Sequence, residues 1–367
     1  MRPSHLAQTG RQQPHSPLVL KLYQCVDSPL NVALSGLVLF AVGYALWLLL
    51  PWLFFDAIWQ GTSAKECLGH DSACWVFIYA RADQLLYGSY PIGERWRLWL
   101  ALLLGVLTVF TLCRGALEKS LLWLSAVLAV STLMIGALLV GGVLGLRVVS
   151  SQLWGGATLT LVIAAWTIAT ALPLGLLLAL ARRSELPVVS MLVASCVDVI
   201  RSLPLVGLLF LMIVMFPFFV PVGVEPNKLI RALIAFTLFN AANFSEVFRG
   251  GLQTIGAGQY EAGYSVGLSK WRTTQLIVLP QVLAISVPGM VNVCISIVKE
   301  TTVVLILGLF DLLGVLQSGI GDPDWLAVES VRTTSYVFAA LVYWLCCFSL
   351  SRYSASLERR AAGRSQA

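Results

Sequence analysis

Residues 121–146 read LLWLSAVLAVSTLMIGALLVGGVLGL, a run without a single charged side chain. A helix rises about 1.5 Å per residue, so about 20 apolar residues suffice to cross the ~30 Å hydrocarbon core of a bilayer. Working outward, residues 98–112 and the stretch from Asn31 onward have the same character. The 367-residue chain as a whole is 58% hydrophobic and 11% charged, with a mean hydropathy of +0.84. No soluble domain can hide that much apolar surface. The run near Asn31 is longer than a signal-peptide core and has no small-residue cleavage pattern, so it reads as a retained span.

Windows of about 20 residues predict roughly eight crossings, near 32–54, 98–113, 121–146, 156–181, 188–220, 230–250, 276–300 and 335–351. The fold class is therefore an all-α polytopic membrane protein. The fifth run is too long for one straight helix and holds Pro204 and Pro217, so it should break, or begin with an interfacial segment before Arg201. Lys and Arg near span ends favour the cytoplasmic side. With the N-terminus inside, that side receives Arg114, Lys119, Arg182, Arg183, Arg249, Lys270, Arg272 and the C-terminal arginines, while most acidic residues fall outside. Both termini are then cytoplasmic.

This topology leaves one large outside loop, about 55–97, and one inside loop, about 251–280. It divides the chain into a part of about three spans (1–150) and a part of about five (151–360). Cys67 and Cys74 share the outside loop, where a local disulfide and two free thiols both fit. His70 between them lacks the companions a zinc site needs, so no metal is expected. The other clear cysteines, such as Cys196 and Cys294, lie in apolar runs and act as small hydrophobes. The formal charge of +6 is scattered between spans and forms no basic patch with interleaved aromatics, which argues against nucleic acid.

The inside loop carries the most specific pattern: Glu261, Ala262, Gly263, then Gly267, then Ile277, Leu279 and Pro280. A short helix over Ala257 to Tyr264 should end at Gly267, which tolerates the left-handed cap conformation. A second amphipathic piece from Ser269 should lead to the next span, with Leu279 and Pro280 redirecting the chain. Glu261 alone would be an ordinary solvated glutamate. The spaced set between two apolar runs, on the side assigned to the cytoplasm by charge, is much harder to reach by chance.

The spacing resembles the EAA loop of permease subunits of bacterial ABC importers, with Gly263 standing where the family has a second alanine. Leu153 to Leu161, Arg201 to Leu205, Glu246 to Leu252, Leu279 to Leu283 and Lys299 to Thr302 further resemble the polar amino acid permease family. The 67–75 loop, the Pro91 to Arg97 stretch and the extra N-terminal spans resemble the M-type subunit of general L-amino acid importers. Two positions depart from the commoner family forms: Ser202 and Leu203 replace Gly-Thr, and Glu300 replaces Asp. The resemblance implies a five-helix permease core at 151–360 that passes broad-range L-amino acids across the bacterial inner membrane by alternating access. Glu261 to Pro280 would dock a cytoplasmic ABC ATPase dimer, beside a second, homologous permease subunit and a periplasmic amino acid-binding protein. ATP and Mg would sit on the ATPase, with no cofactor on this chain.

Charged side chains inside spans are costly and mark candidate sites. Arg201, Glu246, Lys299 and Glu300 are such residues. Asn240, Asn243 and Glu246 share one helical face, and Asn292, Ser296 and Lys299 share a stripe of the next span. An amino acid in transit needs a cationic donor for its carboxylate and an acidic acceptor for its ammonium. Arg201 and Glu246 fit those roles. Alternatively Arg201 pairs with Asp198 or snorkels, and Glu246 pairs with Arg249. There is no Gly-x-x-x-x-Gly-Lys-Ser/Thr loop, and no Ser/His/Asp set for hydrolysis, so no catalytic residue is expected. The competing readings are an ion-coupled secondary amino acid transporter and a non-transporting scaffold.

Overall fold

The computed structural model describes residues 28–115, 121–143, 145–221 and 227–364, and among them no strand forms. Helix α1 (Pro29–Leu50) opens on Ser28, whose hydroxyl accepts from the Asn31 N–H at 3.2 Å. Pro29 sits at the first position, where its missing N–H is no loss. A π turn at Pro51–Phe55 extends it, and none of these residues is buried. An apolar helix exposed along its length is one that meets lipid.

Two short helices follow, α2 (Trp75–Ala80) and α3 (Ala82–Tyr87), and then a hairpin of α4 (Trp96–Gly115) and α5 (Leu121–Val140). The expected span to residue 146 stops at Val140. Gly141 turns the chain at φ +77°, and a Cβ there would lie 2.2 Å from the Arg147 carbonyl oxygen. The C-terminal part comprises α6 (Gly156–Ala181), α7 (Pro187–Ser202), α8 (Leu205–Phe210), α9 (Lys228–Thr254), α10 (Ala257–Ser265), α11 (Lys270–Thr273), α12 (Leu279–Glu300), α13 (Leu312–Ile320) and α14 (Glu329–Arg364). The last helix extends well beyond the expected 335–351.

Six of the described helical stretches are long and apolar enough to cross a membrane, and a bent pair makes seven. That pair is α7 with the run Leu205–Phe219, and the bend is 102°. The expected break is present just past Arg201 and Ser202, because Pro204 cannot continue the helix of α7 and instead starts α8. The remaining expected crossing, 230–250, is α9, whose 27 residues include Lys228, Arg231, Glu246 and Arg249 and so are less apolar.

Contacts fix how these helices run. Thr170 meets Thr237 at 2.8 Å, and a Cβ on Gly175 would touch Ala241 and Phe244, so α6 and α9 run parallel. The chain between them must therefore return once, which makes the bent pair a single crossing. Gly175 is needed here: an added methyl would sit 2.5 Å from Phe244 Cβ. Asn240 against Glu300 and Val247 against Gly289 show that α12 runs the opposite way. Buried Ala171, Leu176, Phe244, Phe248, Val282 and Ile297 fill the space between these three helices.

Residues 56–91 fold down onto α13 and α14. The Cys74 N–H donates to Thr334 Oγ1 at 3.0 Å, Arg81 pairs with Asp322, and Phe77 meets Trp325 edge-on at 5.1 Å. A disulfide joins Cys67 to Cys74, with Cα atoms 5.9 Å apart. The Asp324 N–H, and after it the Arg81 guanidinium, hold the Asp322 carboxyl below its usual range. Phe77 is 0% exposed, so Phe77→Ala should leave a cavity costing about 3–5 kcal/mol. The lobe should then detach from α14 while the spans stay folded. Hydrogen exchange rising across 56–91 alone would show this, and unchanged protection there would refute it.

Candidate functional site

The loop between α9 and α12 is an ordered structure. Helix α10 ends in paired bonds, Leu268 N–H to Gly263 O at 3.1 Å and Gly267 N–H to Tyr264 O at 2.9 Å. This is a Schellman cap, and Gly267 supplies its left-handed residue at φ +79°. Gly263 is buried beneath the helix, where a Cβ would lie 2.5 Å from Thr273 Cγ2 and 2.8 Å from its Oγ1. The Thr273 side chain thus fills the volume that an alanine methyl would need at this position. The opposite face is presented outward: Glu261 and Ala262 are exposed, with Tyr264 and Val266 beside them.

Side chains hold α10 and α11 to the bundle. Arg183 donates to Tyr260 Oη at 3.0 Å, Gln281 donates to Gln259 at 3.0 Å, and Lys270 pairs with Glu185. Lys270 lowers the Glu185 carboxyl from its ordinary value. Leu279 is buried, Ile277 is half-buried and Pro280 is exposed. Leu279 and Pro280 do not redirect the chain as expected. A π turn at Thr274–Val278 carries α11 straight into α12, and Pro280 falls in the first turn, where a missing N–H is tolerated.

A cluster of five charges lies close by. Glu246 Oε1 accepts from Arg182 at 2.5 Å, with Arg201 at 3.6 Å, and Oε2 accepts from Arg249 Nη2 at 2.7 Å and Nε at 3.0 Å. Asp198 lies 3.6 Å from Arg182. Arg201 therefore pairs with Glu246 instead of Asp198, while the Glu246 to Arg249 pair occurs as one of the sequence alternatives. The cluster ties α7 and the end of α6 to α9. Glu246 sits 8 residues before Thr254, about 12 Å along the axis from the end that leads into α10.

The other candidates separate. Asn240 is 0% exposed and donates to the Phe236 carbonyl and to Glu300 Oε2, both at 3.2 Å. Asn243 is half-buried. Asn292, Ser296 and Lys299 are exposed on a face of α12 shared with Pro280, Ala284 and Pro288. Sequence reasoning missed Arg182, which had counted only as a topology cation. Its position directly after an apolar run, within reach of the Glu246 helix, was the available signal.

Residues 171–363 match the family described as "Binding-protein-dependent transport system inner membrane component". That stretch holds the whole charged cluster and the whole of α10 to α12. The chain belongs to this family. As a member, it is a multi-pass inner-membrane transport subunit. It is 44% identical over 321 residues, 86% of each chain, to the inner membrane amino-acid ABC transporter permease protein YhdY of Escherichia coli K12. It is 32% identical, over 91% of each chain, to the glutamate/glutamine/aspartate/asparagine transport system permease protein BztC of Rhodobacter capsulatus. A solved amino acid ABC transporter with histidines is similar at 24% identity and a TM-score of 0.47, covering 55% of this chain and 90% of that one.

Proposed function

We propose that this chain is a permease subunit of an ATP-driven, binding-protein-dependent importer of L-amino acids, of broad range, working by alternating access. The observation that carries this reading is α10, an ordered helix with an exposed Glu261–Ala262 face between two membrane-crossing helices. A loop with no partner has no need of a Schellman cap, a buried glycine and three side-chain tethers. An ABC ATPase dimer docks there and carries the ATP and Mg. Amino acids are favoured as cargo because both relatives above are named for amino acid transport.

In this reading α10 and both termini are cytoplasmic, and the 56–91 lobe faces the periplasm, where its disulfide is compatible with the oxidising compartment. Residues 1–150 form an extension, and 151–360 are the core. A periplasmic binding protein delivers substrate on the lobe side. A second, homologous permease meets the exposed face of α12: Asn292, Ser296 and Lys299 face away from this chain's own core, and polar groups are costly against lipid. That stripe lines the substrate path together with Asn240 and Asn243. Of the arginines on Glu246, Arg201 stands farthest, at 3.6 Å, and is 41% exposed, which leaves it able to receive a substrate carboxylate.

Purification of the chain with its partners from membranes should bring an ATPase with it. Reversing the charge at Glu261 (Glu261→Arg) together with Gly267→Val should release that ATPase and abolish uptake. Transport that persists with no ATPase bound would instead favour an ion-coupled secondary transporter.

A further inference from the structure

Glu246 cannot easily receive a substrate ammonium, because three guanidiniums already surround its two oxygens. Another acidic residue at depth, Glu300, is in a different state. Glu300 ends α12 and is half-buried, and among the described residues no cation pairs with it. Among the described residues its carboxylate accepts one hydrogen bond, from Asn240 Nδ2 at 3.2 Å to Oε2. The neighbouring Lys299 is exposed on another side of the helix and makes no ion pair among the described residues.

Depth makes this unusual. Asn240 is 12 residues from Lys228 and 14 from Thr254, about 18 and 21 Å along α9, so the pair lies near mid-crossing. An unpaired carboxylate there is expensive, and such groups mark binding sites and pathways. Asn240 adds a second observation. It is 0% exposed, its amide group donates to the Phe236 carbonyl and to Glu300, and its Oδ1 is buried without a partner among the described residues. A wholly structural asparagine would have its acceptor satisfied.

We infer that Glu300, oriented by Asn240, binds the α-ammonium group of the amino acid in transit. The ammonium has three donors, and Glu300 Oε1 accepts nothing from the described residues. Charge-assisted bonds of this kind are the strong ones. Glu246, which Arg201 approaches at 3.6 Å, lies about 9 Å farther along α9 than Asn240, so Glu300 and the Arg201 cluster meet α9 at different depths.

This inference rests on the amino acid importer reading, and the experiment keeps the two apart. The full complex, with its permease partner, ATPase and binding protein, is reconstituted in liposomes and supplied in turn with each of the twenty L-amino acids in tritiated form. Glu300→Gln should lower uptake at least tenfold while the ATPase still co-purifies in the same ratio, and Glu300→Asp should restore most of the rate. In the unmodified complex, dicyclohexylcarbodiimide should label Glu300, read by mass spectrometry of its peptide, and saturating substrate should protect it. Wild-type uptake in Glu300→Gln overturns the inference. So does labelling of Glu300 that substrate leaves unchanged, which decides the matter even where Glu300→Gln fails to assemble. A wild-type complex that takes up none of the twenty L-amino acids would overturn the importer reading itself.

Discussion

Replacing Gly263 with valine is expected to abolish ATP-driven uptake, a loss of at least a hundredfold, while the chain still inserts and the spans still fold. The reason is steric and local. A Cβ at 263 lies 2.5 Å from Thr273 Cγ2, and valine adds two methyls beyond it. Overpacking of this kind costs about 1–3 kcal/mol even with relaxation. Helix α10 is held to the bundle only by its buried edge and a few tethers, so it can relieve the clash by lifting away from α11. That motion moves Glu261 and Ala262 out of place without touching either residue. Thr273→Ala in the same chain should restore much of the activity, since it removes the clashing atoms. A double-mutant cycle of uptake rates measures that interaction. Additive losses would mean that Gly263 serves some purpose other than close packing on Thr273.

That pair also shows what could be read in advance and what could not. The spacing from Glu261 to Pro280 located α10 and its glycine cap, because a cap is a local property of consecutive residues. The departure at Gly263 was visible as a departure, but its cause lies ten residues away, in a threonine whose position depends on how α11 folds back. The apolar runs located most crossings well, since span length is set by the bilayer. They failed at Val140, where a glycine turn among apolar residues looks the same to a hydropathy window as a continuing helix. Arg201 and Glu246 stood out individually as charges inside apolar runs. That Arg182 would join them, and that Asp198 would turn to Arg182, required knowing that α6 and α9 run parallel. No periodicity within one helix contains that information.

Glu246→Gln should lower the amount of assembled, folded chain several-fold and should reduce its thermal stability, before any effect on substrate is seen. The cluster holds three guanidiniums, Arg182, Arg201 and Arg249, against two carboxylates, Glu246 and Asp198. Removing Glu246 leaves the three cations with only Asp198, which reaches Arg182 alone and at 3.6 Å. Breaking a buried pair from one side costs about 3–5 kcal/mol, because the remaining charge is left uncompensated. The lower part of that range applies here, since Arg201 and Arg249 are 41% and 37% exposed and can turn toward water. Removing a cation as well should repair the balance, so Glu246→Gln with Arg249→Gln should be more stable than Glu246→Gln alone. Two readings of Glu246 give opposite outcomes. A residue that binds the substrate ammonium would leave stability intact and raise only KM, and Arg249→Gln would then give no rescue. A residue that pins α6 and α7 to α9, about 12 Å from the entry to the docking helix, would lose stability first and recover it with the compensating change. Melting temperatures of the purified single and double variants, set beside their uptake KM values, separate the two.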